Sequence, residues 1–428
     1  MSHYLVEGGV PISGTIKASG NKNAALPCIA AAILTDKPVI LRNIPDIEDV
    51  QVMLEVYQSF GGRAERLGRN EWKLTLGDLK TSKVPAEAAK KIRASILFAG
   101  PLLARTGKAV LPPPGGDVIG RRRLDTHFLA LTELGAAVNT RREFVFSAKK
   151  LKGADLFLDE TSVTATENAV MAAVLAEGRT IITNAASEPH VQDLCRMLRA
   201  MGAVIEGIGS NILTITGVKK LDSCDYEIGA DYMEVGSFIG LTAATGGELI
   251  IKGSRPGDLR PAKMAFGKLG IVWEHEGTTL RVPKNQAMKV NQDLGGMIPK
   301  IDDAPWPGFP PDLTSIIIVT ATQVEGTVLV YEKMFESRMF FVDKLIGMGA
   351  RIVLCDPHRA VISGPAKLAG SELTSPDVRA GMAMVIAAMC AQGSSVIRNV
   401  YQIERGYENL VERLSSLGGR IRAEDESA

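Results

Sequence analysis

The chain has 428 residues, of which 46% are hydrophobic and 23% charged, so it can bury more than one core. Its 49 Lys and Arg residues nearly balance its 48 Asp and Glu residues, and this excludes the overall positive charge expected of a nucleic-acid-binding protein. No stretch reaches the roughly 18 apolar residues of a membrane span, and "MSHYLVEGGVPISG" lacks the pattern of a secretion signal. The five cysteines form no CxxC pair, which argues against a disulfide framework or a zinc knuckle. We therefore expect a globular cytoplasmic protein with neither nucleic-acid nor membrane partners.

A unit of about 70 residues recurs six times along the chain. Each copy predicts a helix, a strand, a loop, a second helix that ends at a glycine, and a β-hairpin. The glycine marks the helix end because it enters the left-handed conformation at little steric cost. The six markers are Gly61, Gly135, Gly202, Gly270, Gly349 and Gly418. Unrelated amphipathic helices are the alternative, but six matches in register favour a true repeat.

This order of elements predicts an α/β protein. Because hairpins interrupt strict βαβ order, neither a doubly wound nucleotide-binding fold nor an eight-unit barrel fits. Three units in each of two domains suits the length of the chain.

The predicted start of the first helix in each unit is polar or charged. Helix starts expose unpaired N–H groups, so several of them together, with Lys22 and Arg93, favour an anion site. Asp231, Asp312 and Asp377 are also candidates for plain N-caps, above all Asp231 and Asp377. The six starts read "SGNKNAALP", "KKIRASI", "TSVTATENA", "ADYMEVGS", "FPPDLTS" and "TSPDVRAG".

Three loops between a strand and the following helix each supply an arginine, namely Arg122, Arg338 and Arg405. One such arginine is typical of a surface salt bridge. Three favour a small anion that carries both a phosphate and a carboxylate, which guanidinium groups bind in bidentate fashion. The chain has no GxxxxGK[ST], HExxH or GxSxG motif, and its five histidines lack metal-ligand spacing. We therefore expect carboxylate, Lys and Arg chemistry, with no metal and no cofactor.

One further segment, "PPPGGDVIGRRRLDTH", places the single acid Asp117 beside a glycine pair and ahead of three arginines. Its prolines and glycines exclude a helix and predict a loop.

Together these segments resemble the UDP-N-acetylglucosamine enolpyruvyl transferases. The resemblance runs in the family's order over essentially the whole chain. It rests on "SGNKNAALP", "RASILFAGPLLAR", "PGGDVIGRRRLDTHFLALTELGA", "FPPDLTS", "MFESRMFFVDKLIGMGA", "DVRAGMAMVIAAM" and "QIERGYENLVERLSSLGG". It implies two inside-out α/β barrel domains, each of three repeated units. Residues 22–229 would form one domain, which carries a catalytic loop at 112–123, and residues 1–21 plus 230–428 would form the other.

The resemblance also implies a reaction. The enolpyruvyl group of phosphoenolpyruvate would move to the 3-hydroxyl of UDP-N-acetylglucosamine through a tetrahedral ketal, with loss of phosphate and without a metal. This is the first committed step of peptidoglycan precursor synthesis, which serves cell-wall biogenesis, cell shape and division. No obligate protein partner is implied.

Residue roles follow from the same resemblance. Lys22, Arg122 and Arg405 would hold phosphoenolpyruvate, with Asn23 and Arg338 nearby. Asp312 would accept the proton of the sugar hydroxyl or orient that hydroxyl. The catalytic set would be Asp117, Asp312, Lys22 and Arg405. The remaining substrate-binding residues would be Arg93, Arg123, Leu124, Asp125, Thr126, Ser162, Val163, Met334, Asp377 and Arg379.

Asp117 stands where most members of the family have a cysteine that donates a proton to the methylene carbon. Because a carboxylate attacks an epoxide more weakly than a thiolate does, insensitivity to fosfomycin is expected. The alternative is that Asp117 pairs with Arg121 or Arg123 in a surface loop. Three other residues differ from those usual in the family: Thr164 stands in place of Gly, Asn21 in place of Ala and Arg123 in place of Pro.

Rival functions remain open on the sequence alone. An enolpyruvyl transferase of the same fold could use shikimate 3-phosphate or a related nucleotide sugar. A non-catalytic repeat scaffold or a nucleotide-sugar-binding module would need no carboxylate among the cations.

Overall fold

The computed structural model describes residues 2–115 and 123–425. Contacts divide these residues into two compact units. The inserted unit runs from Gly20 to Gly229, and the flanking unit combines the residues up to Ser19 with those from Ala230 onward. Each unit is described by itself.

Helices and strands alternate along the described chain. The α-helices are α1 (Lys22–Ala31), α2 (Glu48–Ser59), α3 (Ala86–Lys91), α4 (Ala99–Thr106), α5 (Asp125–Glu133), α6 (Val163–Ala173), α7 (Pro189–Ala200), α8 (Tyr232–Thr245), α9 (Arg260–Lys268), α10 (Thr314–Ala321), α11 (Val342–Gly347), α12 (Val378–Cys390), α13 (Tyr401–Glu404) and α14 (Leu410–Ser416). Short 3-10 helices lie at Ala32–Leu34, Arg93–Phe98, Pro256–Leu259, Leu294–Gly296 and Pro311–Leu313.

The strands are short throughout. They are β1 (Ser2–Glu7), β2 (Ser13–Lys17), β3 (Val39–Arg42), β4 (Arg63–Gly68), β5 (Glu71–Thr75), β6 (Lys108–Leu111), β7 (Ala137–Asn139), β8 (Phe144–Ser147), β9 (Asp155–Phe157), β10 (Arg179–Thr183), β11 (Val204–Glu206), β12 (Ile212–Thr216), β13 (Cys224–Glu227), β14 (Glu248–Lys252), β15 (Glu274–Glu276), β16 (Thr279–Val282), β17 (Lys300–Asp302), β18 (Gly326–Tyr331), β19 (Ile352–Asp356), β20 (Arg359–Gly364), β21 (Glu372–Thr374), β22 (Ser394–Arg398) and β23 (Arg420–Asp425).

Small sheets of similar plan recur in both units. In the inserted unit their strand orders are β13-β3-β5-β4, β6-β8-β7 and β11-β12-β10-β9. In the flanking unit they are β15-β16-β14-β2, β17-β18-β20-β19 and β21-β22-β1-β23. The four-stranded sheets combine one parallel pair with antiparallel neighbours. The three-stranded sheet is antiparallel, and Lys83 adds a single parallel bridge to Val110.

Helices, rather than strands, occupy the centre of each unit. In the flanking unit α8, α10 and α12 pack against one another, and all eight residues of α10 ("TSIIIVTA") are buried. A helix that is apolar on every side must be buried on every side. In the inserted unit α6 packs on α4 and α5, and α1 packs on α2 and α7. The sheets therefore lie outside the helices, and the predicted inside-out α/β fold is confirmed.

All six predicted marker glycines adopt positive φ angles, between +70° and +103°. Each follows the second helix of its unit and precedes a hairpin strand. Their left-handed conformation, which favours glycine, confirms the repeat.

Two units depart from the predicted pattern. In the second unit the first helix is broken, because Ile92 adopts an extended conformation (φ −134°, ψ 138°) between α3 and the Arg93–Phe98 turn. In the sixth unit β23 pairs with a strand from the start of the described chain. The hairpin is completed by β1, which lies between β22 and β23 with Tyr4 opposite Ile397 and Ala423. None of the described helices combines the length and the hydropathy of a transmembrane span.

Candidate active site

Lys22 is the first residue of α1, in the inserted unit. Asn21 caps this helix, since its Oδ1 accepts hydrogen bonds from the backbone N–H of Asn23 (2.8 Å) and Ala24 (3.3 Å). The Lys22 ammonium lies 2.6 Å from Asp49 Oδ2, and both side chains are largely buried. Asn21, which stands where the family usually has Ala, is thus explained as a helix cap. Asp49 was not predicted from the sequence, because it contacts Lys22 only through the packing of α1 against α2.

The predicted residues Arg93, Arg123, Asp125 and Thr126 come together at the start of α5. Arg93 Nη2 donates to the Arg123 carbonyl (3.0 Å), and Arg123 Nε donates to Asp125 Oδ2 (2.6 Å). Thr126 Oγ1 donates to Asp159 Oδ1 (2.7 Å), and Arg123 Nη2 lies 3.7 Å from the other Asp159 oxygen. Asp159 also belongs to this group of interacting side chains, although it was not identified from the sequence. Leu124 occupies the N-cap position of α5 without a side-chain cap.

Ser162 caps α6, which begins at the next predicted residue, Val163. Its Oγ accepts a long hydrogen bond from Ala165 N (3.4 Å), and its carbonyl accepts from Thr166 Oγ1 (2.7 Å). The start of this helix presents backbone N–H groups and the positive end of the helix dipole.

Behind the start of α6, hydrogen bonds fix the orientation of the buried His127 ring. Asn168 Oδ1 accepts from Gly100 N (2.7 Å), so Asn168 Nδ2 must donate to the Ile96 carbonyl (2.9 Å) and to His127 Nδ1 (3.0 Å). The His127 proton therefore sits on Nε2, which donates to Thr164 Oγ1 (3.0 Å).

The imidazole of His127 stays neutral at physiological pH. Burial, helped by the charge of Arg93, lowers its pKa to about 3. Because Thr164 Oγ1 accepts from His127, its own hydrogen is left to donate elsewhere. The sequence marked Thr164 as a departure from the family, but the buried partner could be found only in the fold.

Asp312 lies between two arginines of the flanking unit. Its Oδ1 is 2.6 Å from Arg338 Nη2 and its Oδ2 is 3.2 Å from Arg379 Nε. The N-cap alternative is wrong for Asp312, because Pro310 holds that position and makes no side-chain cap. Burial alone would raise the pKa of this carboxyl, but the two guanidinium groups hold it well below its usual range.

Aromatic rings lie against both of these arginines. The Arg338 guanidinium is 4.6 Å from the centre of the Phe335 ring, and that of Arg379 is 5.5 Å from the Tyr407 ring. Such contacts hold the planar groups in place. Although burial opposes it, the attraction of Asp312 raises the pKa of Arg338, so this side chain stays charged.

The N-cap alternative is confirmed for Asp231 and Asp377. Asp231 Oδ1 accepts from Met233 N (2.9 Å) and Glu234 N (3.2 Å) at the start of α8. Asp377 Oδ1 accepts from Arg379 N (2.8 Å) and Ala380 N (3.0 Å) at the start of α12. Asp377 thereby fixes the backbone of Arg379, and a direct contact with substrate stays a prediction.

Arg405 is buried directly after α13, where its Nη1 donates to Gln402 Oε1 (2.9 Å). Met334 is 37% exposed in the segment between β18 and α11. The predicted proton donor Asp117 and the predicted cation Arg122 lie outside the described residues, as does Arg121.

Each unit therefore gathers cations around helix starts, and the flanking unit adds one ionised carboxylate. The cations suit anionic substrates. Asp312 can accept a hydrogen bond from a hydroxyl, but a carboxylate with so low a pKa is a weak proton acceptor.

Comparison with known proteins identifies the family. A family model described as EPSP synthase (3-phosphoshikimate 1-carboxyvinyltransferase) matches residues 6–414. The UDP-N-acetylglucosamine 1-carboxyvinyltransferase of Treponema denticola is 73% identical over 421 residues, which cover 98% of this chain and 99% of that protein. The chain belongs to the UDP-N-acetylglucosamine 1-carboxyvinyltransferase family. The Treponema pallidum protein of the same name is 68% identical, again over 98% of this chain and 99% of its own length.

Solved structures place this family member in the enolpyruvyl transferase fold. The crystal structure of the enolpyruvyl transferase NikO from Streptomyces tendae matches with a TM-score of 0.87 at 23% identity, over 99% of this chain and 98% of that one. EPSP synthase from Acinetobacter baumannii matches with a TM-score of 0.74 at 17% identity, over 99% and 100%. At these identities the likeness concerns the fold alone.

Proposed function

We propose that the protein transfers the enolpyruvyl group of phosphoenolpyruvate to the 3-hydroxyl of UDP-N-acetylglucosamine and releases phosphate. The observation that carries this is the full-length identity, 73% and 68%, to proteins named for that activity. Such a transfer needs cations to bind an anionic donor and a carboxylate to bind the acceptor hydroxyl, and the ionised Asp312 lies among buried arginines.

The reaction is an addition followed by an elimination. The sugar hydroxyl gives up its proton as its oxygen bonds to C2 of phosphoenolpyruvate and C3 takes up a proton, which gives a tetrahedral ketal. Phosphate then leaves with the bridging oxygen, and C3 returns a proton as the double bond re-forms. In the net reaction the hydroxyl proton leaves with hydrogen phosphate. The net products are the enolpyruvyl ether and inorganic phosphate.

Phosphoenolpyruvate would be held by Lys22, Arg122 and Arg405, with Asn23 and Arg338 nearby. Three observations support this assignment. Lys22 is anchored by Asp49 at a helix start, Arg405 is 5% exposed, and Arg338 stays charged. A desolvated cation binds an anion more strongly than one in water.

The nucleotide sugar would lie along the residues at the starts of α5, α6 and α12 and in the segment before α11. The backbone donors at the start of α6 support a place for its phosphates. These residues are Arg93, Arg122, Arg123, Leu124, Asp125, Thr126, Ser162, Val163, Met334, Asp377 and Arg379.

Asp312 would orient the attacking hydroxyl rather than act as a strong general base. Its low pKa supports this choice, because the ionised form is available for a hydrogen bond at any physiological pH. Asp117 would supply the proton to C3, and its carboxyl in place of a thiol would make the enzyme insensitive to fosfomycin. We place the activity in the cytoplasm, at the start of the precursor pathway for the cell wall, where it would serve cell shape and division.

Phosphate release tests the proposal. Purified protein is incubated with phosphoenolpyruvate and, separately, with UDP-N-acetylglucosamine, a related UDP-sugar or shikimate 3-phosphate. We expect the largest kcat/KM for UDP-N-acetylglucosamine. Preference for shikimate 3-phosphate would instead support the activity in the family model's description, and no release with any acceptor would support a binding module.

A further inference from the structure

Two acidic side chains lie fully buried side by side in the flanking unit. Asp303 directly follows β17 and Glu332 directly follows β18; they are 1% and 0% exposed. These strands are parallel neighbours with Asp302 opposite Tyr331, so the next residue of each strand reaches the same edge of the sheet. Two adjacent buried carboxylates would be costly unless one of them carried a proton.

Both carboxyl groups bind the backbone of the segment that follows β18. Asp303 Oδ1 accepts from Lys333 N (2.5 Å) and its Oδ2 accepts from Met334 N (3.3 Å). Glu332 Oε1 accepts from Met334 N (3.3 Å) and Phe335 N (3.2 Å). Three consecutive backbone N–H groups therefore converge on the two acids.

The second oxygen of Glu332 is buried and has no hydrogen bond of ordinary geometry from the described residues, and the nearby Thr314 hydroxyl is likewise buried without one. A proton on this oxygen, donated to Asp303, would satisfy it. Burial and the hydrogen bond with Asp303 raise the pKa of Glu332 to about 9, against the opposing charge of Arg338 and the opposing contact of the Thr314 hydroxyl. The geometry and the direction of the pKa shift thus agree that Glu332 is protonated at neutral pH.

The other charged or titratable groups around the acids are already engaged. Arg338 is paired with Asp312, and Lys333 Nζ donates to Asp302 Oδ2 (2.7 Å). His358 Nδ1 lies 2.8 Å from the backbone carbonyl of Glu332 rather than from its carboxyl. None of these groups neutralises the charge of the two acids, so a shared proton is what would stabilise the two carboxyl groups side by side.

We propose that Asp303 and Glu332 share one proton and thereby position the segment from Lys333 to Arg338, so that Met334 and Arg338 are held in place for substrate. The two acids touch no reacting atom; they act through Met334 and Arg338 and are therefore positioning residues. The proposal rests on the proposed function, which assigns Met334 and Arg338 to substrate binding. Loss of the proton would set two negative charges against each other and release the segment.

The first test compares wild type with Glu332→Gln, whose neutral amide can still donate to Asp303. We measure kcat/KM for both substrates from pH 7 to pH 10. Wild type should be about tenfold lower at pH 10 than on its plateau, because the competent form decreases tenfold per pH unit above the pKa. Glu332→Gln should keep near-wild-type kcat/KM at pH 7 and lose this alkaline decline.

Glu325→Gln is the matched control. Glu325 precedes the other end of β18, is exposed and pairs with Lys289 (2.9 Å), so its amide removes one carboxylate without touching the buried acids. It should keep the wild-type alkaline decline. Other groups that titrate near pH 10 act equally in all three proteins and cancel in the comparison.

Stability and infrared spectra test the shared proton without any turnover. Between pH 4.5, the ordinary pKa of Glu, and about 9, the folded protein retains a proton that the unfolded chain has lost. Wild-type stability should therefore fall with rising pH across this window relative to Glu332→Gln. The C=O band of protonated carboxyl groups at pH 7 should have the same intensity in wild type and Glu325→Gln and should lose intensity in Glu332→Gln. Burial also raises the pKa of Glu167, in the inserted unit, so the remaining band serves as an internal reference.

These readouts separate the two proposals. If no acceptor supports turnover but the loss of infrared intensity and the pH-dependent Tm difference appear, the proposed function fails and the shared proton stands. An unchanged alkaline decline in an active Glu332→Gln, or an unchanged infrared band, overturns the positioning role.

Discussion

Asp312→Asn should destabilise the flanking unit and abolish most turnover. In the native protein the carboxylate is the counter-charge for Arg338 (2.6 Å) and Arg379 (3.2 Å), whose side chains are 12% and 7% exposed. Removing one member of a buried ion pair costs about 3–5 kcal/mol, because a charge is left buried without compensation.

We take the lower end of this range, about 3 kcal/mol, for two reasons. The Asp312 side chain is 21% exposed, so water screens part of the interaction, and the amide still offers one oxygen to an arginine. This corresponds to about a hundredfold change in the folding equilibrium. Turnover should fall by about 10²-fold, because the attacking hydroxyl loses the carboxylate that orients it.

Tryptophan fluorescence can follow the flanking unit separately. Trp273 and Trp306 lie in this unit and Trp72 lies in the inserted unit, so a Trp72→Phe background leaves reporters only where the change is made. Urea unfolding of Asp312→Asn in that background gives the loss of stability. Glu372→Gln, which removes the exposed carboxylate partner of Arg398 in the same unit, is the control and should unfold like the parent.

The pH dependence of this difference has a definite sign. Since the pKa of Asp312 is lowered in the folded protein, its contribution to stability is complete above the ordinary value of 3.8 and disappears as pH falls further. The gap between parent and Asp312→Asn should therefore be constant from pH 5 to pH 8. Unchanged unfolding together with near-parental turnover would refute the role of Asp312.

Three further predictions concern the inserted unit, Arg405 and the loop. Lys22→Ala and Arg405→Ala should keep the wild-type circular dichroism spectrum yet lose about 10²–10³ in kcat/KM for phosphoenolpyruvate, and near-wild-type values would contradict the donor site. Lys22→Ala should also unfold at a lower urea concentration, because it leaves the buried Asp49 carboxylate without its partner. Thr164→Val should lower stability by about 1–3 kcal/mol in urea unfolding, because the buried Nε2–H of His127 loses its acceptor. Thr164→Ser should restore that stability, and equal stability of the Val variant would contradict the assigned tautomer. Native protein should show no adduct by intact mass after fosfomycin, whereas Asp117→Cys should gain one; the reverse result would exclude Asp117 from the thiol's position.

The repeat and its glycines could be predicted because they depend on local conformational preferences. A positive φ at Gly61 or Gly349 is required by the chain's own turn, whatever packs around it. The same holds for the caps at Asp231 and Asp377, which bind backbone two and three residues away. Local chemistry of this kind is visible in sequence.

Partners from distant elements could not be predicted in the same way. Asp49 meets Lys22 only when α2 packs on α1, and Glu332 meets Asp303 only when β17 and β18 become neighbours. The pairing of β1 with β23 likewise brings together strands that are more than 400 residues apart in sequence, as in the pair Ser2 and Asp425. No periodicity or motif marks such contacts, because they arise from tertiary packing.

Enolpyruvyl transfer by addition and elimination can be followed in a single incubation in D₂O. Phosphoenolpyruvate and UDP-N-acetylglucosamine are allowed to react, and the nucleotide product is examined by mass spectrometry and proton NMR. We predict one enolpyruvyl ether per phosphate released, with deuterium in its vinyl methylene, because C3 takes up a solvent-derived proton before it loses one. Phosphate and pyruvate formed beside unmodified UDP-N-acetylglucosamine, or an ether without deuterium, would contradict the account.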